Sequence, residues 1–194
     1  MKTFEYDLRY VQAGLEVLED YLLSDEVFWP LSVNPPAGGP DYPRLTLGGL
    51  LLSRARLTAY PKSPPQKEQV DQLISKLELI RSKWRVAWEK KATHSFNVRL
   101  RMWRDFIEEF QNSPQENADR YLYEVRLRTM LKLLKTEGGG QQQPEVDLLS
   151  GLDGYLKSVL VTGAFIWEPE LQTEFPANEY WYLYGYLPPA AKKY

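Results

Sequence analysis

Cysteine is missing from this chain, and it holds a single histidine, His94. Without thiols there is no disulfide framework, iron–sulfur site or cysteine nucleophile. One histidine is too few for a zinc finger or a multi-histidine metal centre, and it argues against a Ser-His-Asp hydrolase. His94 stands between Thr93 and Ser95 with no spaced His/Asp/Glu set. A general base needs a placed nucleophile and an orienting partner, so His94 reads as a hydrogen-bonded structural residue. Long apolar runs are also missing. The longest uncharged stretch, Val27 to Pro40, is broken by four prolines and two glycines. About 18 apolar residues are needed to cross a bilayer, and nothing approaches that. No apolar signal core follows Met1-Lys2. Together these absences predict a soluble cytoplasmic protein with no membrane partner. They leave catalytic, metal and cofactor-binding residues unassigned.

Phosphate-binding loops are missing as well. Gly38-Gly39 and Gly48-Gly49 lack the lysine and glycine spacing that cradles a nucleotide. Glu108-Glu109 are adjacent on a helix and diverge, and Glu168 and Glu170 flank Pro169 in a turn. Neither pair has the spacing of an acid–base or metal site.

What the chain does have is helical periodicity and aromatic mass. With 194 residues it can enclose one substantial core. Leu8, Val11, Leu15, Leu18 and Leu22 predict a helix over 6–24. Residues 24–44 carry five prolines and two glycines, which forbid a regular element. A loop this long is held down by its own side chains, with Phe28, Trp29, Leu31, Val33 and Tyr42 as anchors. Residues 45–59 are apolar on nearly every face and predict a central helix. Gly48-Gly49 within it suit a neighbouring helix that crosses at close range. Ser63-Pro64-Pro65-Gln66 and Ser113-Pro114-Gln115-Glu116 are two helix starts of one pattern, with serine as cap, proline next and an amide or carboxylate reaching back.

The first start opens a helix over about 64–112. Val70, Leu73, Leu77, Ile80, Trp84 and Trp88 share one face, and Phe96, Leu100, Trp103, Phe106 and Phe110 share a rotated one. The change falls at 91–97, which predicts one long helix bent there. The second start opens 114–136. A Gly/Gln connector over 137–143 separates this helical core (1–136) from a C-terminal segment (144–194) that packs on the same domain. Within that segment a helix runs to about 162. The final aromatic stretch reads as either a hairpin or a short helix starting at Pro176 and stopped by Gly185, with the helix preferred. The whole is an all-α, bundle-like single domain built around the long bent helix.

Charge is segregated. Lys76 to Arg104 holds nine basic and two acidic residues, whereas 137–187 holds one basic and eight acidic. Lys76, Lys83, Lys90, Arg101 and Arg104 align on one outer row, a ridge for an acidic partner or a nucleic-acid backbone. Its bland counterpart is a solvated face paired at i,i+4 spacing. Arg81, Arg85 and Arg99 differ, because they fall beside the apolar face near Trp84, Trp88 and Trp103. They form either an internal pairing and stacking network or a pocket for an anionic ligand, and the network is the preferred reading.

Tyrosine and tryptophan cluster at the C-terminus. Trp167, Tyr180, Trp181, Tyr182, Tyr184 and Tyr186 offer rigid amphipathic area of the kind found at interfaces. The expectation is therefore a non-enzymatic binding protein that contacts a protein partner, or a second copy of itself, through this segment. Nucleic-acid binding through the Lys76–Arg104 ridge is the alternative.

Overall fold

The computed structural model describes residues 3–138 and 142–189 of the chain. The protein is 68% helical with one small two-stranded sheet, in line with an all-α single domain. Helix α1 (Phe4–Glu16) is capped by Thr3, whose hydroxyl accepts from the Tyr6 amide at 3.2 Å. A break at Val17 separates it from α2 (Leu18–Leu23). The predicted 6–24 helix is thus two pieces whose leucines enter one core.

The 24–44 region is irregular, as its prolines require. It is pinned by paired backbone bonds between Trp29 and Leu45, at 2.9 and 2.7 Å. Trp29, Leu31 and Tyr42 pack against the core, while Phe28 stays partly exposed. Val27, which was not among the predicted anchors, is the residue of this loop that buries most deeply.

Helix α3 (Leu47–Ala59) is central. Leu47 and Leu50 are fully buried, and the helix packs against α1, α5 (Arg85–Asn112) and α7 (Tyr121–Lys135). The close crossing expected at Gly48 is present. A β-carbon there would lie 3.1 Å from Leu134 and 3.2 Å from Met130, both on α7.

The 64–112 run is α4 (Pro64–Lys83) followed by α5, joined through Trp84. At its start, Gln66 Oε1 accepts from the Ser63 amide at 2.9 Å. The bend sits at Trp84, at φ −111° and ψ 34°, not at 91–97. The hydrogen bonds Trp84 N to Ile80 O and Trp88 N to Trp84 O persist on either side. The rotated apolar face needs no break, because α5 is covered from several directions by α2, α3, α7 and α8 (Gln143–Val159).

The second serine start is weaker than expected. Ser113 makes no side-chain cap, α6 (Pro114–Asn117) is one turn long, and a 3-10 turn over Ala118–Arg120 precedes α7. Asn117 explains the interruption. Its amide donates to the carbonyls of Glu109 and Ser113 at 3.1 and 3.0 Å, so local side-chain bonding competes with the helix ladder.

The connector expected at 137–143 falls partly outside the described residues, and its ends are structured. Glu137 accepts from Arg81 at 2.8 Å and from the Trp88 indole at 3.0 Å, and Gln143 already belongs to α8.

The C-terminal segment is a hairpin rather than the preferred short helix. Strand β1 (Val161–Phe165) pairs antiparallel with β2 (Tyr184–Tyr186), in a register shifted between Thr162 and Phe165. Gly185 is a strand residue at φ 151°, where a β-carbon would meet the Val161 carbonyl oxygen at 2.3 Å. Its glycine therefore reflects strand geometry and close approach, not a helix stop. The span between the strands packs inward. Leu171, Phe175, Tyr182 and Leu183 are fully buried, and Tyr121 donates its hydroxyl to the Tyr182 carbonyl. Arg128 clamps Asp153 of α8 with two 2.7 Å bonds.

Candidate functional site

A surface cleft with a cavity of about 400 Å³ opens where α1, α3, α5 and α7 meet the 40–46 loop. That volume lies in the range that encloses a small organic ligand. Helix α1 supplies Tyr6 and Tyr10, and α3 supplies Gly49, Leu52 and Arg56. Arg99 and Met102 come from α5, and Tyr123, Arg126 and Met130 from α7.

The loop over the cleft is fastened by tyrosine hydroxyls. Tyr6 donates to the Asp41 carbonyl at 3.2 Å and Tyr10 to the Arg44 carbonyl at 3.3 Å. Tyr42 donates back to the Tyr6 carbonyl at 3.2 Å. The Tyr6 and Tyr42 rings lie 4.6 Å apart. Burial pushes the Tyr6 phenol up to about 12, with Tyr42 and Asp7 adding to the shift. The hydroxyls that hold the loop therefore stay protonated far above neutral pH.

Four arginines line the cleft (Arg44, Arg56, Arg99 and Arg126), against one lining carboxylate, Asp41. Arg56 and Arg99 are almost equally buried, at 5% and 7% exposure, yet their surroundings are opposite. Arg56 donates to Asp7 at 2.8 Å, to Tyr60 Oη at 2.9 Å and to Glu168 at 3.4 Å. Burial acts to lower its pKa, but Asp7, Tyr60 and Glu168 outweigh that and raise it. Arg99 has no carboxylate partner among the described residues. It donates to Thr46 Oγ1 at 3.0 Å and to the Met102 sulfur at 3.1 Å, and lies over the Phe28 ring at 5.1 Å. Burial lowers its pKa, and the neighbouring Arg126 pushes it the same way. A buried guanidinium beside a second one is costly unless an anion joins them.

The three flagged arginines thus part company. Arg81 pairs with Glu78 and Glu137 and lies over the Trp88 ring, as the network reading expects, whereas Arg85 is exposed and makes only a surface pair with Glu89, so it joins no internal network. Arg99 faces the cleft. Arg44, Arg56 and Arg126 were missed in the sequence. Arg56 had a signal, one of only two cations, with Arg54, on an otherwise greasy helix. Arg44 and Arg126 had none.

The ridge residues are exposed or partly so, and several are matched by acids. Lys83 meets Glu19 at 2.9 Å, Lys90 lies 4.0 Å from Asp25, and Arg104 holds Asp105 and Glu108. Lys76 and Arg101 are exposed with no ion-pair partner among the described residues. In the aromatic segment Tyr180 and Tyr182 are buried, Trp167, Trp181 and Tyr184 are half-buried, and Tyr186 is 53% exposed. Tyr180 and Tyr182 therefore present no surface to a partner in this conformation. They complete the core. His94 is exposed and its side chain makes no hydrogen bond among the described residues, so the bonded role expected for it is not what it plays.

Among the described residues no group of three or more His, Asp or Glu could hold a metal ion, and no helix is long and apolar enough to cross a membrane. Comparison with protein-family models, with curated proteins and with solved structures finds no match for this chain.

Proposed function

We propose that the protein acts by binding a small organic anion in the cleft between α1, α3, α5 and α7. The observation that carries this reading is Arg99, a buried guanidinium with no carboxylate partner among the described residues, aimed into an aromatic-lined cavity of suitable size. Arg44 adds charge of the same sign, and so does Arg126, which is partly offset by Glu124 at 3.4 Å. Aromatic and thioether walls supply apolar contact, the usual composition of a small-molecule site.

Self-association through the C-terminal aromatic segment remains a narrower proposal, because Tyr186 is the one strongly exposed ring of that segment among the described residues. Nucleic-acid binding along the Lys76–Arg104 ridge is less favoured, since Lys83, Lys90 and Arg104 already have acidic neighbours.

The test is a thermal-shift screen of small carboxylates, phosphates and sulfonates at low ionic strength. A ligand at about 100 times its Kd adds about 2.7 kcal/mol of stability. For a chain of this size that raises Tm by about 5–10 °C. The shift is expected to shrink with added salt and to vanish in Arg99→Met. A screen in which no anion stabilises the protein, or in which Arg99→Met responds like wild type, refutes the reading.

A further inference from the structure

Two guanidiniums of the cleft are already stacked on rings. Arg99 lies over Phe28 at 5.1 Å and Arg126 over Tyr123 at 3.6 Å. A guanidinium held by its face keeps its N–H donors in its own plane, so it offers the cleft an edge. Arg99 uses that edge in part on Thr46 and Met102, and a thioether is a weak acceptor. Arg126 ion-pairs through one nitrogen with Glu124 at 3.4 Å, and the same nitrogen reaches the Tyr123 carbonyl at 3.5 Å. Its other N–H groups have no acceptor among the described residues and remain to meet a ligand.

Thr46 supplies a third donor. Its Oγ1 accepts from the Gly49 amide at 3.0 Å and from Arg99 at 3.0 Å. With both lone pairs engaged, the hydroxyl has only its proton left to give. Thr46 also caps the N-terminus of α3, the positive pole of that helix. One end of the cleft therefore presents donors from three separate elements: the α3 cap, α5 and α7.

A carboxylate has two oxygens in one plane and a single charge, and it satisfies one guanidinium edge. Two edges and a hydroxyl arriving from different elements match a tetrahedral group with three terminal oxygens and two charges. Leu52, Leu127, Met130 and the Tyr10 ring supply apolar lining, while Asp41, Arg44, Ser53 and Arg56 complete the wall with polar groups. The tyrosine-fastened 40–46 loop bounds the other side, which suits a compact molecule better than a polymer.

On the anion-binding reading above, we propose that the ligand is a small phosphate monoester with a planar apolar body. Arg99, Arg126 and the Thr46 hydroxyl hold the phosphate, and the body lies against Leu52 and Met130.

Isothermal titration of the full chain separates this from the broader reading. The probes are phenyl phosphate, methyl phenyl phosphate, benzoate, phenol and inorganic phosphate. Phenyl phosphate is expected to bind tightest. Capping it with a methyl group removes one charge and one terminal oxygen, and is expected to weaken binding by about tenfold or more. Arg99→Met and Arg126→Met lie on different helices, and each is expected to weaken phenyl phosphate by a similar factor while keeping the wild-type circular dichroism spectrum. Benzoate or the methyl diester binding as tightly as phenyl phosphate overturns the monoester assignment but leaves anion binding standing. Inorganic phosphate binding as tightly overturns the apolar half of the proposal. No binding by any anion overturns both readings.

Discussion

Replacing Arg99 with methionine should make the empty protein more stable, not less. The guanidinium is 7% exposed and has no carboxylate partner among the described residues. Its removal forfeits the 3.0 Å bond to Thr46, worth about 1.5–3 kcal/mol for a charged donor. The stacking on Phe28 adds about 0.5–1 kcal/mol, at the low end because that ring is 36% exposed. Against these losses stand the desolvation penalty of a buried cation, several kcal/mol, and about 1.5–3 kcal/mol from burying an apolar side chain of similar length. Thr46 keeps its bond to the Gly49 amide, so α3 stays capped. The balance is a gain of about 1–2 kcal/mol, or about 2–8 °C in Tm. Urea unfolding followed by circular dichroism measures it, in a buffer free of phosphate and sulfate so that no anion props up the wild type. A variant less stable than wild type by about 2 kcal/mol or more would show that Arg99 is a structural strut, and the argument for a ligand would lose its foundation.

Two further outcomes follow from the same geometry. Asp7→Asn should cost about 3–5 kcal/mol in urea unfolding, because it strips charge from the pair that neutralises buried Arg56; a cost below about 1 kcal/mol would mean Glu168 alone suffices. Stability should also fall at alkaline pH. Tyr6 is raised from 10.0 to about 12 by burial first and by Tyr42 and Asp7 next. The folded state therefore holds a proton that the unfolded chain gives up, and stability present below pH 10 is lost as pH climbs toward 12. Burial raises Tyr10, Tyr60, Tyr121 and Tyr182 in the same direction. Tyrosinate absorbance should accordingly appear in step with loss of helical signal. Full ionisation while the helices persist would contradict the burial.

Much of the fold was legible because it rests on local chemistry. The leucine spacing of α1, the proline-rich loop, the greasy α3 and the Ser63-Pro64 start are statements about neighbours in sequence. The failures came where tertiary contact decided. Trp84, not the 91–97 face change, carries the bend, since a helix covered on several sides can rotate its apolar stripe without kinking. Asn117 interrupts the second start through bonds to Glu109 and Ser113 that no cap pattern encodes. The last strand pairs across some twenty residues with β1, and of the aromatic residues before and within it Tyr180 and Tyr182 turn into the core while Tyr186 stays exposed.

The cleft was the least legible part, and the comparison of Arg56 with Arg99 shows why. On a helical wheel each is an arginine near an apolar face, and i,i+4 spacing finds a carboxylate for neither. What separates them is Asp7, 49 positions away in the chain from Arg56. Spacing rules detect surface pairs such as Arg85–Glu89, which contribute little. They are blind to the long-range partner that decides whether a buried cation is neutralised or waiting for a ligand. Arg56 can be read as structure because the fold brings it a carboxylate. Arg99 is the better candidate for the proposed anion site for the opposite reason: the fold brings it Thr46, Phe28, a thioether and a second arginine, and no carboxylate among the described residues.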